Sequence, residues 1–415
     1  MSGPGRSVGP RWFLLFTLAW LALWTVQLTP LQLLIPLQLD SPDDADGWIT
    51  GVVWSGLILA VGGVAGVVAG PLAGGLSDRT AGRRGRRRPW AVGGIVLGSG
   101  SLTALAFANG PWGVGSAWVG VSIGVSIAGA AFTAMIADQL TTTQRGAASS
   151  AVASSQAVGI VLGVGVIVLL GLGIVAGYLV LAAFLLAGGL VAALLLPDPP
   201  APASTEAARV RRSLAERTAA LRDRDFAWLL AGRLVVNVGN ALGTGLLLFF
   251  LLYGLGRDAA TAEDELLILI VVYTLFVVTA SILSGRFSDR TGRRVMPVVV
   301  AAFVQAAASL LLAAAPSMTT AMVSAALLGI GYGAYMSVGL ALATDILPFA
   351  DDHARDLGFV NVAASLGQLL GPLIGAALVA LAGGFWLLFA VGGVLSILGG
   401  AMTLALRSRE LSAVR

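Results

Sequence analysis

Along the chain, apolar runs of about 20 residues alternate with short polar breaks, the length a helix needs to cross the hydrocarbon core of a bilayer. Twelve runs can be separated, at 12–39, 48–76, 90–109, 112–138, 147–171, 174–196, 227–255, 266–286, 295–315, 318–345, 357–382 and 385–406. Four of the boundaries rest on brief breaks alone: Gly110-Pro111, Gly171-Leu172-Gly173, Ala315-Pro316 and Gly383-Gly384. The pattern predicts an all-α membrane protein with twelve transmembrane helices. It groups into a six-helix bundle over 1–196, a linker over 197–226 and a second six-helix bundle over 227–415.

The polar breaks are not alike. The N-terminus, the breaks after even-numbered runs and the C-terminus hold 23 of the 25 arginines, the exceptions being Arg233 inside the seventh run and Arg257 just after it. The opposite breaks carry acids, as at 40–46 and 263–265. By the positive-inside rule both termini are predicted to be cytoplasmic, in a multi-pass protein of the cytoplasmic (inner) membrane. Arg6 and Arg11 ahead of 12–26 look like the start of a signal peptide, but the apolar stretch continues through 28–39, which predicts an uncleaved first span. The linker opens Pro197-Asp198-Pro199-Pro200 and continues rich in Ala, Leu and Arg. It reads as a solvated cytoplasmic connection or an amphipathic helix lying on anionic lipid.

Composition narrows the chemistry. The chain is 57% hydrophobic and 11% charged, with a mean hydropathy of +0.91, outside the range of soluble domains. With no cysteine and one histidine, His353, it offers no disulfide, no thiolate metal site and no Ser/His/Asp triad. No metal, cofactor or enzyme activity is expected. The excess arginine sits in short loops, where it reports topology and not a nucleic-acid partner.

The strongest pattern is internal. Gly74-Gly75-Leu76-Ser77-Asp78-Arg79-Thr80 parallels Gly285-Arg286-Phe287-Ser288-Asp289-Arg290-Thr291, and each precedes a Gly-Arg-Arg, Gly85-Arg86-Arg87 and Gly292-Arg293-Arg294. Asp78 and Asp289 are 211 positions apart. Ala137-Asp138-Gln139-Leu140 and Thr344-Asp345-Ile346-Leu347 form a second pair, offset by 207. Two matches at nearly half the chain length predict a duplication, with two halves related by a pseudo-two-fold axis, as in transporters whose halves move about a central site.

These residues resemble the major facilitator superfamily, whose signature between the second and third spans occurs here in both halves. Pro71-Leu72, Ser77-Asp78-Arg79 and Gly85-Arg86-Arg87-Arg88-Pro89-Trp90 also resemble its sucrose–proton and glycoside symporter branch. So do Ala137-Asp138-Gln139-Leu140, Leu347-Pro348 and Arg355-Asp356-Leu357-Gly358. The resemblance implies a secondary transporter, working as a monomer, that moves a sugar or glycoside by alternating access with protons. Export of amphiphilic or drug-like compounds is the alternative, and a non-transporting receptor or scaffold a more distant one. In the resembled fold Asp78 faces the start of span eleven and Asp289 the start of span five near Gly146. There a helix N-terminus stabilises an anion by about 0.3–1 kcal/mol.

The gating motif is therefore expected to comprise Gly74, Asp78, Arg79, Gly85, Arg86 and Arg87 in the first half. Gly285, Asp289, Arg290, Gly292, Arg293, Arg294 and Asp345 are its counterparts in the second. The two aspartates act either as latches or as caps on loops closed by their own ion pairs. Asp138 is the candidate proton carrier, or else anchors a loop through Arg145. Small residues let helices approach closely in lipid. In the resembled fold spans two and eleven meet across the halves, which implies that Gly62, Gly66, Gly70 and Gly74, with Gly367, Gly371 and Gly375, lie at an interface between them. Gly159 and Gly163 make a similar stripe in span five.

Substrate candidates are polar residues within spans. Arg233, Asn237 and Asn240 fall on one helical face near mid-membrane; Gln27, Asn361 and Gln368 add further amides, as do Gln32 and Gln305. Trp24, Trp54 and Tyr332 are candidates to stack on a sugar ring. Arg233 either binds a substrate hydroxyl or carboxylate or pairs with an acid. Relatives in the symporter branch often carry an acid after Val in span ten, where this chain has Val338-Gly339.

Overall fold

Each apolar run becomes a helix, and the ends are set by local chemistry more than by hydropathy. The structure, a computed structural model, describes residues 8–40, 47–80, 85–198, 223–346 and 353–408. Among the described residues twelve helices are long and apolar enough to cross a membrane. They are α1 Pro10–Leu39, α2 Gly47–Arg79, α3 Arg88–Ala106, α4 Gly110–Gln139, α5 Thr142–Leu169 and α6 Ile174–Leu195. The second set is α7 Arg224–Gly245, α8 Ala259–Thr291, α9 Val295–Ala314, α10 Met318–Ile346, α11 His353–Ala382 and α12 Trp386–Leu404.

One clear departure from the hydropathy reading is α8, which begins seven residues before the predicted run and ends five after it. The Asp258 side chain accepts from Thr261 N at 3.0 Å and nucleates the helix ahead of its apolar stretch, satisfying an otherwise orphaned amide. Hydropathy marks where a helix is greasy, whereas hydrogen bonding marks where it is helical. Asp223 likewise accepts from Phe226 N, so α7 starts at Arg224 and the last three residues assigned to the linker are helical. The brief glycine breaks are true turns: Gly171 (φ +59°) and Gly383 (φ +62°) adopt the left-handed conformation that side chains disfavour. Wider π-turns interrupt α1 at Pro30–Leu34, where proline lacks the N–H for a regular bond, and α6 at Leu185–Gly189.

The chain forms two compact units, Met1–Ala207 and Ala208–Arg415. In the first, α1 packs on α5 and α6, α4 on α2 and α3, and α3 on α6. In the second, α7 packs on α11 and α12, α10 on α8 and α9, and α9 on α12. Shifted by six helices, the pairings are the same. The sequence duplication is therefore a duplication of packing.

The glycine stripes depart from expectation. A Cβ on Gly367 would lie 2.5 Å from Asn237 Cβ, and one on Gly371 would overlap Ala241, both on α7. Gly62 and Gly66 face Trp118, Ser122 and Ser126 of α4, while Gly70 and Gly74 have nothing within 4 Å. Gly159 and Gly163 close on Thr25 and Thr29 of α1. The packed glycines thus seal helix pairs inside each unit, because a missing Cβ permits close approach to whichever helix crosses there. The α1–α5 seam of the first unit recurs as the α7–α11 seam of the second.

Several expectations fall outside the described residues: the linker at 199–222, the acids at 41–46, Leu347-Pro348 and both chain ends. The backbones of Arg355, Asp356 and Asn361 lie in α11, but their side chains are not described.

Candidate functional site

A polar network runs through the second unit. Arg233, Asn237 and Asn240 lie on one face of α7 and are buried. A membrane-spanning helix leaves polar groups no water to bond, so each needs a protein partner. Asn237 Nδ2 donates to the Arg233 carbonyl at 2.8 Å, and its Oδ1 accepts from Tyr332 Oη of α10 at 3.4 Å. Tyr332 Oη in turn accepts from Gln368 Nε2 of α11 at 3.2 Å. The Asn240 amide and the Tyr273 phenol of α8 exchange hydrogen bonds at 3.3 and 3.4 Å. The Tyr273 and Tyr332 rings stack, with centroids 6.4 Å apart. Gln368 is exposed, so the network reaches the surface of the unit at one end and ends in buried α7 at the other.

Arg233 is the anomaly. It is 3% exposed and makes no ion pair with any described residue. Its Nη2 donates to Met336 Sδ at 3.6 Å, a weak acceptor, and its Nε has no partner. The Tyr332 and Tyr335 phenols lie within electrostatic range. An arginine at the centre of a membrane helix costs about 2.5–3.5 kcal/mol on insertion scales. Here no described carboxylate offsets that cost, so the option that Arg233 pairs with an acid finds no support.

Of the other candidates, Gln27 is half-buried on α1 of the first unit, and Trp24 lies in an aromatic ladder with Trp12, Phe16 and Trp20 along that helix. Trp54 packs edge-on against Trp112 at 5.6 Å. Gln305 is fully buried in α9 with neither side-chain polar atom bonded. Tyr273, Tyr335 and Met336 were not anticipated. Three of the chain's five tyrosines meet at this network, but a lone tyrosine in an apolar run gives no signal of its own.

At the arginine-rich end, the repeated motif builds a cluster in each unit. Arg87 is only 5% exposed in its side chain. It donates through Nη2 to Asp78 at 2.6 Å, through Nε to Asp138 at 3.0 Å and through Nη1 to Ser77 at 2.5 Å. Arg86 takes the second oxygen of Asp138 at 2.7 Å. Asp138 is thus held by Arg86 and Arg87, and not by Arg145 as the loop-anchor reading had it. The residue brought from furthest along the chain is Asp198, at the root of the linker. Its Oδ2 accepts from the backbone amides of Arg87 and Arg88, each at 2.7 Å, closing the N-terminus of α3. Gly85 lies against Asp198 with φ +96°. Arg88 Nη2 and Gln139 Nε2 donate to the carbonyls of Leu196 and Pro197.

In the second unit Arg294 donates to Asp289 at 2.8 Å, to Asp345 at 3.4 Å and to Ser288 at 3.0 Å. Burial works against the charge of Arg87, but the hydrogen bonds it donates to Asp138 and Asp78, with their negative charge, outweigh that and raise its pKa. The hydrogen bond to Asp289 is the main cause raising that of Arg294. Gly74 and Gly285 line α2 and α8 one turn before these clusters, and a Cβ on Gly285 would lie 2.9 Å from Ser337 Oγ. Arg79, Arg290, Gly292 and Arg293 are exposed.

Twelve apolar helices in two units of repeated packing, with a buried polar network and matched ion-pair clusters, define a multi-pass membrane protein of the transporter-fold class. The chain belongs to the Major Facilitator Superfamily, whose family description matches residues 54–262 and 234–414. A triacylglyceride transporter of Mycolicibacterium smegmatis is 38% identical over 112 residues, which are 27% of this chain and 20% of that protein. The multidrug resistance protein Stp of Mycobacterium tuberculosis is 29% identical over 148 residues, 34% of this chain and 27% of that protein. The matches therefore span well under half the length of these relatives. Among solved structures, a mutant of the nucleoside transporter NupG superposes with a TM-score of 0.71 at 14% identity, covering 95% of this chain and 99% of that one. A D-xylose–proton symporter superposes with a TM-score of 0.70 at 16% identity, covering 94% and 96%. At such identities the likeness is one of fold.

Proposed function

We propose that this protein is a secondary active transporter, and not an enzyme, that moves a small amphiphilic molecule across the membrane by alternating access. One observation carries the reading: the network of Arg233, Asn237, Asn240, Tyr273, Tyr332 and Gln368 offers amide, phenol and guanidinium groups beside stacked rings and Met336. Polar groups grip a head group while rings and thioether meet an apolar body. Gln27 and Asn361 are further proposed contacts. The names of the relatives, a triacylglyceride transporter and a multidrug resistance protein, support export of an amphiphile. Arginine placement supports cytoplasmic termini in an inner membrane. The two arginine clusters are the proposed gate elements, and Asp138 serves there as an anchor, since both its oxygens are engaged by guanidinium groups.

Proton-coupled glycoside uptake is the second reading, favoured by the amide and phenol groups, which suit sugar hydroxyls. Proteoliposomes separate the two. Accumulation of a fluorescent fatty-acid derivative, lost in Asn240→Leu, is the expected result. Uptake of sucrose or a phenyl glucoside driven by a pH gradient, with no movement of the fatty-acid derivative, supports the symporter instead.

A further inference from the structure

An arginine with no acid partner among the described residues says something about the molecule carried. Arg233 presents a five-donor fork that matches an oxyanion. The face of α10 opposite it offers no acid: Met336 sits against Nη2, and one turn on is Gly339, where a Cβ would lie 3.5 Å from Nη1. That is ordinary van der Waals contact, so a Cβ has room there, yet the position holds none. Tyr332 and Tyr335 are donors through their phenols, and neither supplies a negative charge at neutral pH. A neutral ligand bound here leaves a buried cation uncompensated, whereas an anionic one removes that penalty.

We propose that Arg233 is the counter-charge for an oxyanion head group, carboxylate or phosphate, on the transported amphiphile. The substrate thus supplies the acid that no described residue places beside Arg233. This rests on the amphiphile reading above and narrows it to anionic amphiphiles. With no described acid beside it, the cation of Arg233 is neutralised by the bound head group, which ties the charge state of the site to occupancy.

The test uses the purified full-length protein and a matched fluorescent pair, 11-(dansylamino)undecanoic acid and its primary amide. The wild-type protein is expected to bind the acid about tenfold more tightly than the amide, the increment of a charge-assisted hydrogen bond. Gly339→Asn should keep that preference. Gly339→Asp places a carboxylate beside the guanidinium, and should bring the ratio to about one while raising the melting temperature above that of Gly339→Asn. Arg233→Gln should also level the two probes, which covers the case of an Asp variant that does not fold. Equal binding to wild type, or an acid preference that survives a folded Gly339→Asp or Arg233→Gln, overturns the proposal. If the probes bind equally and Asn240→Leu weakens both, the anion inference fails and the site stands. Binding of neither probe, or binding of both untouched by Asn240→Leu, counts against the proposed function and takes the inference with it.

Discussion

The two arginine clusters are built from the same repeated letters and differ in physical weight. Ser77, Asp78, Arg87 and Asp138 correspond one for one to Ser288, Asp289, Arg294 and Asp345. In the first unit the guanidinium is nearly buried and both acids are about two-thirds covered. In the second, Arg294 is 21% exposed while Asp289 and Asp345 are 70% and 56% exposed. The first unit also has Asp198, 111 residues from Arg87, which accepts from the Arg87 and Arg88 amides and ties the chain after α6 onto the start of α3. No such strap closes over Arg294 among the described residues. Exposed ion pairs contribute up to about 1 kcal/mol, whereas breaking a buried one costs several. One motif thus yields a structural lock in one unit and a loose pair in the other.

The comparison can be broken at its strongest point first. Arg87→Ala removes the nearly buried guanidinium shared by Asp78 and Asp138. It is expected to destabilise the protein by about 2–3 kcal/mol, less than a fully buried pair because water still reaches both acids and Arg86 still holds Asp138. Chemical denaturation of the purified protein measures this, and a loss near that of a surface pair would show the burial to be unimportant. Next comes Asp198→Ala, which frees two backbone amides at the head of α3 and should cost about 1–2 kcal/mol. In that variant the Arg87 cluster should become salt-sensitive; unchanged behaviour would remove the strap from the account. Arg294→Ala is expected to cost less than about 1 kcal/mol. The smallest effect is the coupling of Arg294 with Asp345 in a double-mutant cycle, about 0.2–0.5 kcal/mol and screened by salt. A coupling as large as that of Arg87 with Asp138 would erase the asymmetry.

Much of this was legible in the sequence for a physical reason. Hydropathy and a 3.6-residue period are local, so the twelve helices and the common face of Arg233, Asn237 and Asn240 follow from nearby residues. The repeat of Ser-Asp-Arg and Gly-Arg-Arg likewise foretells that each unit has an arginine cluster. Partners are another matter. Asp138 had arginines on several sides in sequence, and spacing could not choose Arg86 and Arg87 over Arg145. The glycine stripes announced close helix contacts without saying with which helix, and the packed ones sealed pairs within a unit. Tyr273 gave no signal, since its role depends on α8 crossing where Asn240 projects.

The sequence by itself determined the number and kind of helices, the duplication and the chemical types at each end of each helix, because these depend on bonds and patterns along the chain. Only the tertiary structure decided that Asp198 reaches the start of α3 and that the arginine cluster there is nearly buried while the other stays open. It alone decided, too, that Arg233 meets a thioether and a glycine where an acid was possible. Those outcomes depend on which helix faces cross in space, and a difference of one turn on a neighbouring helix changes the partner without changing the pattern that built either helix.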